Sequence, residues 1–278
     1  MTTTMSANES KLKVGDVDVQ MFSGGSGPGL LYLHGAGGNA GWQPFHEELA
    51  KSYKVYAPSL PGFDGTSRPD WIGSITDVAH FGHSLATTLG LEQYILMGSS
   101  MGGWVSAEMA ARDRHQIKGL VLIDPVGIKP EKGEITEIFM VGSDTRLKQR
   151  FYDTSQVANY DQYTQELTPD QANMQHSNQA MASRLCWRPY MNNPSLSHYL
   201  VDVTTPALVI WGKQDAIVPA ECGELYQKAL ANATLKVIDH CGHSPQIEKP
   251  QEFHAAVSEF PKVFAVSKSH NRTPRDVS

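Results

Sequence analysis

Residues 94–102 read YILMGSSMG. The apolar run Tyr94-Ile95-Leu96-Met97 has the length and composition of a buried strand. It runs straight into Gly-x-Ser-x-Gly, and residues 101–114 have helical spacing. A strand, a tight turn of small residues and a helix put Ser100 at the carboxyl end of a strand. A serine hydroxyl is a weak nucleophile at neutral pH. It needs a base within hydrogen-bond reach, an acid to orient that base, and N–H donors for the oxyanion formed by attack on a carbonyl. A catalytic Ser100 therefore demands three further features.

Each is present, in a loop that follows an apolar run. The glycine-rich stretch His34-Gly35-Ala36-Gly37-Gly38 follows LLYL. Its freedom to turn points to the backbone N–H of Ala36 as one donor. Met101 supplies the other, in the first turn of a helix whose positive end favours developing negative charge. The acid is Asp215 in LVIWGKQDAIVP, with Asp124 in VLIDPVG as the competing position. The base is His243 in IDHCGHSPQIEKP, with His240 in the same loop as its rival. Ser100, Asp215 and His243 follow the chain order Ser…Asp…His. His240, Cys241 and His243 lack the second ligand cluster that would close a tetrahedral site, so no metal is expected.

Around these loops, short apolar runs alternate with helical patterns. Strands are expected at residues 12–14 and 17–22, a hairpin around Gly15-Asp16. Further strands are expected at 30–33, 54–57, 94–97, 119–123, 207–211 and 235–238. Helices are expected at 42–51, 75–89 (capped by Thr76 or Ser74), 101–114, 220–230 and 251–264. Such alternation gives a parallel sheet covered on both faces. Residues 129–198 hold no convincing strand, only helical patches at 136–141 and 170–185, and read as a cap over the carboxyl ends of the strands. The core is then 11–128 and 199–266. The polar ends, 1–10 and 267–278, are expected to be disordered.

Composition sets the limits. A chain of 278 residues that is 40% hydrophobic can build one large α/β domain. A net charge of −6 without a basic block argues against nucleic acid or an anionic membrane as partner. The start MTTTMSANESK has no apolar centre, and no 18-residue apolar run follows, which points to a cytoplasmic protein. The three scattered cysteines fit reduced thiols. The expected partner is a small-molecule substrate, with the chain a monomer or homodimer.

In HGAGG (34–38), PGFDGTS (61–67), GSSMGG (98–103), GKQDAIVP (212–219) and CGHSPQIEKP (241–250), the chain resembles the α/β-hydrolase superfamily of lidded bacterial serine hydrolases. The resemblance implies an eight-stranded, mostly parallel sheet with a helical cap inserted after the sixth strand. It also implies acyl-enzyme chemistry on Ser100 without a cofactor. Haloalkane dehalogenases and epoxide hydrolases are similar but use an Asp nucleophile. Within the superfamily, the expectation is hydrolysis of carboxylic esters or lactones, acyl-homoserine lactones included, with apolar acyl groups. The alternative is a carbon–carbon hydrolase of aromatic ring-fission products, and a remote one is an inactive ligand-binding sensor. The carbon–carbon hydrolases typically carry a Trp directly after the catalytic His and a cap arginine that grips a carboxylate. Here Ser244 follows His243, and Arg184 and Arg188 lie near the end of the cap. The substrate pocket is expected to be an apolar wall of Phe139, Met140, Tyr160, Trp187 and Tyr190 from the cap, with Trp42 and Phe63 from the core loops.

Overall fold

The computed structural model describes residues 7–265 except positions 114 and 159. The chain runs β1 (Asn8–Val14), β2 (Val17–Gly24), β3 (Gly29–Leu33), α1 (Pro44–Leu49), β4 (Lys54–Pro58), α2 (Ile75–Thr88), β5 (Tyr94–Ser99), α3 (Met101–Arg112) and β6 (Ile117–Ile123). The segment after β6 holds α4 (Ser143–Arg150), α5 (Asp161–Thr164), α6 (Pro169–Cys186) and α7 (Leu196–Leu200). The sheet resumes with β7 (Ala207–Gly212), then α8 (Glu221–Ala229), β8 (Ala233–Ile238), α9 (Pro245–Glu248) and α10 (Pro250–Ala265).

The eight strands lie in the order β1-β2-β4-β3-β5-β6-β7-β8. β2 pairs antiparallel with both β1 and β4, and every other neighbouring pair is parallel. Successive residues of a strand face opposite sides of the sheet. Leu31 and Leu33 of β3 therefore join the core under α2 and α3, with Val78, Leu85 and Met109. Leu30 and Tyr32 join the core under α1 and α10, with Phe45, Leu49, Phe253 and Val257. Burial on both faces is why these strands read as unbroken apolar runs.

Local signals start the helices where the sequence places them. Ser74 caps α2 by accepting the N–H of Asp77, which decides between the two expected caps. Thr168 and Gln171 form a capping box before α6, with Pro169 in its first turn. The turn between β5 and α3 depends on its glycines. A Cβ on Gly98 would sit 2.2 Å from the carbonyl oxygen of Gly102, and one on Gly102 would sit 2.2 Å from that of Leu33. Only glycine lets α3 press this closely on β3 and β5.

Two expectations need correction. Residues 8–10 are not a loose tail. Asn8, Glu9 and Ser10 pair with Ser23, Phe22 and Met21 as an edge-strand extension. Ladder hydrogen bonds come from the backbone, so polar side chains facing water do not prevent them. Residues 136–141 are turns rather than a helix. Their backbone groups bond elsewhere: Thr136 N–H to Ile217 O, Tyr190 Oη–H to Thr136 O, and Ile138 N–H to Tyr190 Oη. The helix begins only after Gly142. The stretches 1–6 and 267–278, expected to be disordered, lie outside the described residues.

The cap leaves and rejoins the core at one point. Gly127 N–H donates to Met191 O, and Asn193 N–H donates to Gly127 O, a short parallel bridge at its base. Among the described residues, no helix is long and apolar enough to cross a membrane.

Candidate active site

The turn after β5 holds Ser100 at φ 54°, ψ −116°, a conformation that costs an ordinary residue about 1–3 kcal/mol. Three backbone bonds impose it. Ser100 N–H donates to Ile123 O at 2.8 Å, and Ser100 O accepts from Trp104 N–H and Val126 N–H. The reward is a hydroxyl that stands clear of the strand.

His243 Nε2 lies 2.9 Å from Ser100 Oγ, and His243 Nδ1 lies 2.6 Å from Asp215 Oδ2. Asp215 is fully enclosed, and its Oδ1 accepts the N–H groups of Ile217 and Val218 at 2.8 and 2.9 Å. That carboxylate can only accept, so His243 Nδ1–H donates to it. Nε2 is then the acceptor for the Ser100 hydroxyl proton. The structure thus brings Ser100, Asp215 and His243 into one hydrogen-bonded line. The rival His240 is exposed and stacks edge-on against Tyr152.

The backbone N–H groups of Ala36 and Met101 have no acceptor among the described residues. Ala36 lines the cavity above Ser100, and Met101 begins α3. Unpaired backbone donors beside a serine are the groups an oxyanion would need. The loop that carries Ala36 is fixed from three sides. His34 Nδ1–H donates to Gly35 O, and His34 Nε2 accepts Leu60 N–H. Burial pushes the His34 pKa down, keeping the ring neutral for both bonds. Asn178 of α6 reaches across from the cap to Gly37 O and to the Asp64 carboxylate, which itself accepts Asn39 N–H.

Asp124 lies beside this line rather than in it. One oxygen accepts Gly212 N–H at 2.8 Å; the other is buried without a partner among the described residues. Burial, then the neighbouring charge of Asp215, pushes its pKa well above the usual carboxylate range. In the pH range between those two values the unfolded chain is ionised here and the folded chain is not. Each rise in pH therefore favours unfolding, by up to about 1.4 kcal/mol per unit. Asp124→Asn keeps the acceptor for Gly212 and removes the titration. Its stability relative to the parent should rise as pH climbs above the usual carboxylate range in urea melts. A difference independent of pH would mean that Asp124 stays ionised.

The cap meets the catalytic histidine directly. His243 N–H donates to Arg150 O at 2.7 Å, and Glu248 accepts both Asp153 N–H and Gly242 N–H at 2.8 Å. The α4 helix thus ends against the His243 loop and turns Arg150 into the cavity. This cavity, about 690 Å³, is lined by Ser100, His243, the 34–41 loop, α4 and the 163–167 segment. Arg150 Nε–H donates to Ser244 Oγ at 2.8 Å, and its guanidinium lies 5.0 and 5.2 Å from the rings of Phe151 and Tyr163. Among the described residues, it has no carboxylate within ion-pair distance. Its enclosure alone is enough to push its pKa down. The buried polar groups of Tyr32, Ser99, Ser244 and Gln246 line the same wall. Burial raises the Tyr32 hydroxyl to about 12, so it stays protonated, and beside it Gln246 Nε2 donates to Ser99 Oγ.

The expected apolar wall is not where the cavity is. Phe63 is fully buried against the His34 ring. Trp42 binds Glu47 through Nε1–H, and Tyr160 packs on Phe151 and Tyr163. Phe139, Trp187 and Tyr190 pack on one another, and Met140 is 69% exposed. None of the seven lines the cavity. The physical reason is the unwound 136–141 stretch, whose bonds to Tyr190 hold Phe139 and Tyr190 against each other and against the core. Arg184 donates to Asp70 O at the surface, and Arg188 is exposed. The arginine inside is Arg150, which sequence reasoning passed over because SDTRLKQR reads as a solvated helix. Only its four-residue spacing from Arg146 hinted at a shared face.

The family model for the alpha/beta hydrolase family matches residues 30–256.

The chain belongs to the alpha/beta hydrolase family.

Among curated relatives, this hydrolase is 26% identical over 275 residues to the 2-hydroxy-6-oxononadienedioate/2-hydroxy-6-oxononatrienedioate hydrolase 1 of Dechloromonas aromatica (strain RCB), covering 90% of this chain and 93% of the relative. It is 28% identical over 290 residues to the 2-hydroxy-6-oxo-6-phenylhexa-2,4-dienoate hydrolase of Comamonas testosteroni, covering 94% and 99%. Among solved structures it shares its fold with the 2-hydroxy-6-oxo-6-phenylhexa-2,4-dienoate hydrolase from Rhodococcus sp. strain RHA1. The TM-score is 0.78 at 24% identity, covering 93% of this chain and 100% of that one. These relatives overturn the expectation of an ester or lactone hydrolase, because they are named as hydrolases of dienoates.

Proposed function

We propose that this hydrolase cleaves a carbon–carbon bond in a 2-hydroxy-6-oxo-dienoate. The observation that carries the reading is Arg150: a half-buried cation without an ionic partner among the described residues, held at the cavity wall beside His243 and Ser244. An ester of an apolar acid gives such a group nothing to bind. The carboxylate of a dienoate does, and the curated relatives act on that class. Arg150 then fills the role expected of a cap arginine, from α4 rather than from the end of the cap.

The steps follow from the groups in place. Arg150 holds the C1 carboxylate, and the Ser244, Ser99 and Gln246 side chains face the oxygen at C2. Once the dienol has become the 2,6-diketone, Ser100 attacks C6 while His243 takes its proton. The Ala36 and Met101 N–H groups hold the oxyanion. Ketonisation has already placed a proton on C5, so when the C5–C6 bond breaks its electron pair passes through the conjugated chain to the C2 oxygen, which takes the proton from His243 to give the dienol product. Water, activated by His243, then releases the acid from Ser100.

The test is loss of the dienoate chromophore on mixing with enzyme, with the two product acids identified by chromatography. A purified, folded protein that leaves 2-hydroxy-6-oxo-dienoates of every C6 substituent intact would refute the reading.

A further inference from the structure

Arg146 precedes Arg150 by one helical turn, lines the same cavity and is half-buried. One of its Nη atoms donates to Ile138 O at 3.2 Å. No carboxylate lies within ion-pair distance among the described residues, even though Asp144 shares the lining. Two like charges four residues apart weaken a helix by a few tenths of a kcal/mol. Burial also depresses the pKa of both guanidinium groups. A chain with a net charge of −6 thus turns two cations inward on one face of α4. The neighbouring lining adds Ser143, Gln165 and Gln175 rather than the expected aromatics.

We infer that Arg146 is a second carboxylate site and that the substrate is a diacid, a 2-hydroxy-6-oxo-dienedioate. This rests on the carbon–carbon reading above. Arg150 takes the C1 carboxylate and Arg146 the carboxylate on the acyl half beyond C6. With a nine-carbon diacid, water adds OH to C6 and hydrogen to C5, so the products are 2-hydroxypenta-2,4-dienoate and succinate. The reaction that supplies such a substrate is oxidative ring fission of a catechol bearing a carboxyethyl chain.

Two measurements test this. The first compares kcat/KM for 2-hydroxy-6-oxonona-2,4-dienedioate with that for 2-hydroxy-6-oxohepta-2,4-dienoate, in the parent and in Arg146→Gln. The expected result is a parent preference for the diacid of at least tenfold. Arg146→Gln should lower the diacid-to-monoacid ratio roughly 10- to 100-fold, the scale of a lost charged hydrogen bond. A parent ratio near one, or equal losses on both substrates, overturns the inference and leaves the carbon–carbon reading intact. The second is calorimetric binding of succinate and propionate to Ser100→Ala. Succinate should bind more tightly, and adding Arg146→Gln should remove the difference. If no dienoate turns over but succinate binding still depends on Arg146, the second site stands and the reaction assigned to it falls. If Arg146→Gln leaves succinate binding unchanged, the site itself is refuted.

Discussion

Ser100→Ala should lower kcat for dienoate cleavage by roughly four to six orders of magnitude, because serine, histidine and acid act as a unit and removing one forfeits the whole. The loss should sit in kcat, since Arg150, the proposed carboxylate binder, and the cavity wall remain. The variant should still bind the dienoate, with KM or Kd within a few-fold of the parent. The fold should survive, because φ 54° at this position is imposed by bonds from Ile123, Trp104 and Val126 to the backbone rather than to the hydroxyl. Rapid-mixing absorbance would follow the bound dienoate directly. A loss of less than tenfold would assign the nucleophile to another group. Full loss together with loss of binding would point to damage to the cavity rather than to the chemistry.

Arg150→Gln carries the second large expectation. It removes the cation but keeps a side chain able to donate to Ser244. The kcat/KM for a dienoate should fall roughly 100- to 1,000-fold, the scale of a bidentate charged contact. Arg150→Lys should lie between, because an ammonium keeps the charge but not the planar fork that meets both oxygens or the stacking on Phe151 and Tyr163. His243 should keep its place in both variants, since the Arg150 main-chain oxygen, not its guanidinium, accepts the histidine N–H. Equal losses in Gln and Lys would indicate that stacking, rather than charge, is what the site needs. A loss below threefold in Gln would remove Arg150 from substrate binding.

The difference in how well core and cap could be read has a physical cause. Residues 94–102 specify their own conformation. The run YILM must be a strand, the paired glycines allow α3 to close on it, and the residue between them is forced out. The loops of Ala36, Asp215 and His243 likewise follow apolar runs, and a parallel sheet puts the carboxyl ends of its strands on one side. Their meeting point is therefore legible in the sequence. Arg150 was not. SDTRLKQR has no apolar stripe, so nothing local tells its inward face from its outward face. That face is set by the bonds of Arg150 O to His243 and of Asp153 N–H to Glu248, across more than ninety residues of sequence. Tyr190 is a parallel case. An aromatic in a cap suggests a pocket, yet its hydroxyl is spent on Thr136 and Ile138.

The sequence alone thus determined the sheet, the insertion point of the cap and the three side chains of the hydrogen-bonded line, because each depends on periodicity and loop chemistry within a few residues. Tertiary structure decided what the cavity offers a substrate: two arginines, hydroxyls and amides set among Tyr32, Phe45, Tyr163 and aliphatic side chains, with none of the seven expected pocket residues. Short cap helices have little intrinsic preference for either face. Contacts made far along the chain fix their rotation, and that rotation selects which side chains meet the ligand.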